Sequence, residues 1–429
     1  MKKTMMMGVA VALMTVSCSL GDPAGNQLII DPPAIKGIPL STSERQLVSN
    51  NNDFAFNLFR QLNASESGSG QLKSMMVSPL SITYALGMLN NGASGETRQQ
   101  INKALGLNDV SEANAFYKKM MTQAPLLEQT TKLLLANTIY VNKPHELKPV
   151  FVEALKNYYG AEPEARDFRD GQTLNAINQW ASNHTEQMID HVLDEDEFDP
   201  TAVSYLLNAI YFKGTWTWKF DEKNTVEDWF NDGGPKVPMM HQRTTLNHIK
   251  TADYEALLLP YGTGAAHTGS VGAFNMTILL PRDGKTVNEV LSGLTGKSWQ
   301  DLWMVEEGKK VFYYGLVDVK LPRFESKTDI HLETVLKSLG MPNMFSPELA
   351  EFTDFCQEQT HVGMMKQVAR VKVNEEGAEA SAVTVGGFFN TSVPDEPSFI
   401  PFHANRPFLY IISEFSTNAI FFIGQYMGE

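Results

Sequence analysis

Few residues in this chain could do covalent or metal chemistry. There are two cysteines, Cys18 and Cys356, and 9 histidines. Phe355-Cys356-Gln357 offers the thiol no base, so Cys356 reads as a structural or incidental cysteine. His184 and His191, like His241 and His248, lack carboxylate or thiolate partners at ligand spacing and read as solvated or capping residues. The run Asp194-Glu195-Asp196-Glu197 with Asp199 has neither the turn glycine nor the closing glutamate of a calcium loop, so it reads as a solvated acidic face. No His-Glu-x-x-His, phosphate-cradling glycine loop or Gly-x-Ser-x-Gly elbow occurs. Trp216, Trp218, Phe220, Trp229 and Phe230 read as core aromatics. The expectation is a protein that is not an enzyme, holds no metal or cofactor, and works by binding or mechanics.

The unusual chemistry lies instead in Asn374–Pro394, NEEGAEASAVTVGGFFNTSVP. From Ala380 to Pro394 it carries no charge, although a surface loop normally does. Ala378, Ala380, Ala382, Thr384 and Gly386 share one face of an extended segment, and Glu379, Ser381, Val383 and Val385 share the other. The first set is small enough to lie against a packed layer. Apolar stretches flank the segment, Val362–Val373 and Pro407–Ile412, and read as buried strands. The stretch is therefore either a loop that can become a strand or an ordinary edge strand with a glycine-rich turn.

The elements that must hold it are mixed. Asp53 caps a first helix marked by Phe54, Leu58 and Leu62. Helices are expected at Ile82–Leu89, Ser94–Leu105, Val150–Tyr159, Ala176–Val192, Val287–Leu294 and Asp329–Leu339. Strands are expected at Leu133–Val141, Ser204–Phe212, Tyr254–Pro260, Phe274–Leu280 and Tyr313–Leu321. There is no regular βαβ rhythm, which predicts α+β rather than a doubly wound sheet. Val203–Tyr211 and Leu409–Ile423 are apolar on both alternating faces, so their sheets are covered on both sides within one large layered domain. With 429 residues, 43% hydrophobic, the core is ample. A net charge of −14 without clustered Lys and Arg excludes a nucleic-acid binder.

Lys2-Lys3 and the apolar run Met5–Val16 form a targeting segment too short to span a bilayer. It ends Thr15-Val16-Ser17-Cys18, which resembles the bacterial lipoprotein signal, although Thr15 stands where Leu is usual. A plain secretory signal is the alternative. The expected organisation is a signal peptide over 1–17, a Pro/Gly/Ser-rich tether over 18–44 lipidated at Cys18, and a folded domain over 45–429. The protein is then exported and either lipid-anchored at the bacterial envelope, including its outer surface, or secreted.

Several separated motifs, in order, resemble the serpins over roughly 45–429: Val77-Ser78-Pro79-Leu80-Ser81, Leu207-Asn208-Ala209-Ile210-Tyr211-Phe212-Lys213-Gly214-Thr215-Trp216, Val237-Pro238-Met239-Met240, Leu321-Pro322-Arg323-Phe324, Glu375-Glu376-Gly377-Ala378-Glu379-Ala380, Phe402-His403-Ala404-Asn405-Arg406-Pro407-Phe408 and Phe421-Phe422-Ile423-Gly424. The resemblance implies three β-sheets, about eight or nine helices and an exposed reactive-centre loop offered as bait. It implies a monomeric suicide inhibitor of serine, and by extension cysteine, endopeptidases, covalently trapped when the cleaved loop inserts into the main sheet. The alternative is a non-inhibitory member, cleaved as a substrate or acting as a binding protein.

Carried onto this chain, the resemblance assigns a hinge at Glu375, Gly377, Ala378, Glu379, Ala380, Ser381 and Ala382. It assigns sheet opening to Ser78, Ser81, Asn208, Trp216 and Gln367, the last standing where many members have His. The family's customary spacing from Glu375 places the bait bond at Thr391-Ser392, which suits an elastase-like protease. A shifted register makes Phe389 or Asn390 the bait, and Phe389 suits a chymotrypsin-like one.

Overall fold

The computed structural model describes residues 37–67, 72–161, 163–263, 271–303, 313–377 and 398–429. Nine α-helices lie among the described residues: α1 (Thr42–Ser67), α2 (Pro79–Gly92), α3 (Gly95–Leu105), α4 (Val110–Gln123), α5 (Pro149–Ala154), α6 (Gln172–His184), α7 (Val287–Gly293), α8 (Gly296–Trp303) and α9 (Glu333–Ser338).

Helix α1 begins well before the expected cap. Ser41 and Glu44 close a reciprocal capping pair, with Glu44 N donating to Ser41 Oγ (3.2 Å) and Ser41 N to Glu44 Oε2 (2.7 Å). Asp53 is thus mid-helix, and its carboxylate receives Gly296 N at 2.7 Å. Helix α6 stops at His184 instead of running to Val192. Thr185 turns its hydroxyl back onto Ala181 O (2.8 Å), and Glu186 and Gln187 take left-handed φ of 50° and 65°. Asp329–His331 is strand, not helix, because Phe324, Ser326 and Thr328 alternate inward and Met76 N is satisfied by Thr328 Oγ1 (3.0 Å).

The strands are β1 (Met75–Val77), β2 (Thr131–Asn142), β3 (Pro163–Arg166), β4 (Ser204–Gly214), β5 (Val226–Trp229), β6 (Lys236–Lys250), β7 (Tyr254–Pro260), β8 (Phe274–Pro281), β9 (Tyr313–Pro322), β10 (Phe324–His331), β11 (Lys366–Val373), β12 (Ile400–His403), β13 (Phe408–Glu414) and β14 (Ile420–Tyr426). Their ladders form three sheets among the described residues. One runs β1-β14-β13-β8-β7-β6-β9-β12 with β5 on β6, one runs β3-β2-β4, and the third is β10-β11. β13 and β14 are buried along their whole length, as expected from their apolar alternating faces. The architecture is α+β, as the missing βαβ rhythm predicts.

Among the described residues β4 and β11 share no ladder. Between their first halves lies a slot of about 490 Å³. Ser81, Ile82, Ala85 and Leu89 of α2 line it on one side, and Ile189, Val192 and Leu193 of the segment after α6 on another. That segment is fastened across the slot. Asp199 N donates to Tyr205 Oη on β4 (2.7 Å), while Glu197 receives Lys366 of β11 (2.9 Å) and His331 of β10 (2.8 Å). Glu197 is therefore not part of a solvated acidic face.

Lys366, 6% exposed, also pairs with Asp329 at 2.9 Å. Burial opposes ionisation of Glu197, but hydrogen bonds from Asp194 N, Lys366 and His331 outweigh it and lower its pKa from 4.5. A lowered carboxylate pKa contributes stability above about pH 4.5 that is lost as pH falls through the folded value. Lys366→Met takes the ammonium from both Glu197 and Asp329, leaving Glu197 with His331 and the Asp194 amide, and is expected to cost about 2 kcal/mol at pH 7, under the range for fully buried pairs because Asp329 is partly exposed. Thermal unfolding of both proteins checks this: the gap should shrink markedly between pH 7 and pH 3.5.

Candidate functional site

Glu375 and Gly377, the described residues of the expected hinge, lie in a tight turn set against the end of β4. Gly377 is bridged to Asn374 on one side and to Thr215 on the other, antiparallel to both. Asn374 and Gly377 exchange backbone hydrogen bonds (3.0 and 3.2 Å), and Asn374 Oδ1 receives the amides of Glu376 and Gly377 (3.1 and 3.2 Å). Gly377 has φ +131°, and a Cβ there would lie 2.1 Å from the Gly214 carbonyl oxygen, so only glycine fits.

Trp216 clamps the same turn. Its amide donates to Glu376 O (2.9 Å), its indole Nε1 donates to Asn374 O (2.9 Å), and its ring stacks on Tyr261 at 4.4 Å. Glu375 is buried at 3% exposure. Its carboxylate receives Thr225 Oγ1 (2.7 Å) and Arg323 Nη1 (3.4 Å), and its carbonyl receives Phe220 N (2.9 Å). Lys219 pairs with Glu376. Phe220 and Phe230 are core, as expected of the aromatic cluster, whereas Trp229 is 52% exposed with Lys236 over its ring.

Ser78, Ser81, Asn208 and Gln367 come together beneath the slot. Gln367 holds the Ser78 backbone at both ends, receiving its amide and donating to its carbonyl (2.9 Å each). Ser78 Oγ donates to Phe421 O (2.8 Å) while accepting Ser81 N (3.3 Å) at the cap of α2. Ser81 Oγ donates to Asn208 Oδ1. Asn208 Nδ2 continues to Asn137 Oδ1 (2.6 Å), and Asn137 Nδ2 to Tyr159 O (2.8 Å). Tyr159 Oη ends the chain on Asn114 (2.7 Å). Gln thus serves where His was the family expectation, because it can donate and accept at once. Sequence reasoning missed Asn137, Asn114, Arg323 and Lys219 as partners. The motif residue Arg323 in Leu-Pro-Arg-Phe was the one available signal.

Ala378, Glu379, Ala380, Ser381, Ala382, Phe389, Asn390, Thr391 and Ser392 lie outside the described residues, as does Cys18. Cys356 is buried and its thiol is pushed up to about 11, chiefly by burial, which leaves it unreactive. His241 departs from expectation: it is not merely solvated but shares Asp318 with Arg243 and His403 (2.9, 2.6 and 2.8 Å). Those donors hold the Asp318 carboxyl well below its usual range despite burial. They also tie β6, β9 and β12 together.

A family model described as serpin (serine protease inhibitor) matches residues 49–428. The chain belongs to the serpin family. It is 31% identical to Iripin-8 of Ixodes ricinus, over 90% of this chain and 94% of that protein. It is also 31% identical to Serpin B6 of Pongo abelii, over 89% and 98%. Its structure is similar to the native thermophilic serpin tengpin, with TM-score 0.77, 27% identity, and coverage of 92% and 96%. Serpins are for the most part protease inhibitors and not catalysts.

In this serpin the Gly377 turn is the most sterically constrained point of the site. Gly377→Ala is expected to displace the hinge from Thr215 and to lower the thermal midpoint by several degrees, corresponding to about 2 kcal/mol or more. Scanning calorimetry beside a Gly363→Ala control, where a Cβ meets nothing within 4 Å, checks this.

Proposed function

We propose that this serpin is a suicide-substrate inhibitor of elastase-like or chymotrypsin-like serine endopeptidases. The protease serine attacks the carbonyl of the bait residue, Thr391 in the family's spacing, forming an acyl-enzyme and freeing the amine of Ser392. The freed segment after Gly377 then enters the slot between β4 and β11, which is the strand addition the handling of such sheets permits. Phe389 is the bait if the register shifts.

Gly377 carries the reading. It stands antiparallel to both strand ends, which fixes the register an inserted strand would take up. Continuing each register sets Thr384, seven residues on from Gly377, opposite Gln367, seven back from Asn374, and opposite Asn208, seven back from Thr215. Two separate registers thus bring one small hydroxyl residue to the polar cluster beneath the slot. The same counting sets Glu379 between Lys213 and Lys372, and Ala378, Ala380 and Ala382 beside buried Val373, Val371 and Ala369. Insertion of roughly ten residues adds a backbone ladder worth about 1 kcal/mol net per bond.

Export and lipidation of Cys18 belong to the same proposal and place the inhibitor at the cell envelope. Metabolic labelling with a radioactive fatty acid checks this: label should be incorporated by the natural chain and lost in Cys18→Ala.

The function is tested by incubation with elastase, chymotrypsin and trypsin, followed by boiling in detergent. A covalent complex with elastase or chymotrypsin is expected. In Thr384→Arg the charge falls inward, so cleavage should continue at the same bond while the serpin consumed per protease trapped rises at least tenfold. Quantitative cleavage of the natural chain with no complex and no gain in thermal stability would sink the reading in favour of a non-inhibitory serpin.

A further inference from the structure

The node that fastens the segment after α6 contains one side chain that the inhibitory reading leaves unused. His331 ends β10 and lies directly opposite Lys366 of β11 in their ladder. Both turn their nitrogens onto one carboxylate: Glu197 receives His331 Nε2 at 2.8 Å and Lys366 Nζ at 2.9 and 3.1 Å. The other charged groups facing this pair are acidic. Glu333 of α9 lies 3.6 Å from His331 Nδ1, Asp329 of β10 lies 2.9 Å from Lys366, and Asp194 of the segment lies 3.9 Å from Lys366. Among the described residues four carboxylates thus share one permanent cation here. His191, also in the segment, is 3.5 Å from Asp194.

Histidine is the side chain whose charge changes between pH 5 and 8. Glu197, held below its ordinary 4.5, stays ionised throughout that range. With His331 neutral, lifting the segment takes Glu197 from one charged partner, Lys366. With His331 protonated, lifting it also breaks a second charge-assisted bond and leaves two cations opposite each other, which destabilises a ladder. The grip on the segment therefore rises as pH falls through the titration of the imidazole. We propose that His331 is a positioning residue that makes the hold of residues 194–199 on the slot pH-sensitive, looser at pH 7.5 and firmer at pH 5.5. The consequence for function rests on the inhibitory reading. Lys366 lies eight residues before Asn374, about 26 Å down the slot at about 3.3 Å per residue. A strand entering beside Gly377 must pass beneath Glu197 to fill the lower slot. A firmer hold slows that passage, and the waiting acyl-enzyme is lost to water, which adds to the ester carbonyl, frees the protease serine and leaves a carboxyl on the bait residue. The protein then traps protease at neutral pH and is consumed as a substrate in mild acid.

The first test needs no protease. Hydrogen–deuterium exchange is followed at the amides of Asp194 and Asp199, which donate to Glu197 Oε2 and to Tyr205 Oη. The natural chain is compared with His331→Gln at each pH, so that intrinsic exchange rates cancel. Protection should be equal at pH 7.5 and about threefold greater in the natural chain at pH 5.5, the size fitting a pair whose imidazole is 52% exposed. His331→Lys, a fixed cation, should show the firmer protection at both pH values. The second test counts serpin consumed per molecule of elastase or chymotrypsin trapped. The natural chain and His331→Gln should agree at pH 7.5, and the natural chain should need about two- to threefold more at pH 5.5. Equal protection of the natural chain and His331→Gln at both pH values overturns the proposal. So does pH-dependent protection with equal consumption. If protection follows the proposal but no covalent complex forms at either pH, the pH-sensitive hold stands and the inhibitory reading falls.

Discussion

The structure depends on two strands that face each other without pairing. β4 is hydrogen-bonded to β2 along one edge and β11 to β10 along one edge, yet among the described residues no ladder joins β4 to β11. Backbone amides and carbonyls on such edges are among the most demanding groups in a protein, and an unpaired edge is a template for whatever strand reaches it first. Much of the surrounding architecture manages that demand. The segment after α6 bridges the slot, α2 supplies an apolar wall, and the chain of amide and hydroxyl groups from Gln367 to Asn114 fixes the strands' backs from below.

The hinge works on the same constraint from the other end. It is held by hydrogen bonds from the Trp216 backbone and indole, from Thr225 and from Arg323, while its one glycine allows the backbone to approach Gly214 without a side chain between them. Asn374 to Gly377 are thus fastened as one turn, with Gly377 at the closest approach to β4.

Much of this was legible from the sequence, and what was not has a common cause. Tyr254–Pro260 and the two-sided apolar runs of β13 and β14 were readable because burial on both faces leaves a continuous signal, whereas the first half of β4, equally apolar on both faces, is only half-buried because it lines the slot. Asp53 was misread because a good cap residue also serves mid-helix when another helix, here α8, offers it an amide. The extension of α6 to Val192 failed because one hydroxyl at Thr185 competed successfully with the helix ladder. Glu197 and His241 found partners at Lys366 and Asp318, far along the chain, and no local pattern announces such pairs. The polar cluster was half legible: Ser78, Ser81 and Asn208 stood in motifs and Gln367 at a position where many family members have His, whereas Asn137 and Asn114 stood in none.

The order of strands in the large sheet bears on how the molecule is made. β13 and β14, late in the chain, are inserted between β1 and β8, and their side chains from Phe408 to Ile412 and from Phe421 to Ile423 are almost wholly removed from solvent. A ribosome therefore delivers these two interior strands after the neighbours they separate. Until they emerge, β1 and β8 lack the partners that bury them. This delay keeps the largest sheet from closing until synthesis is nearly complete.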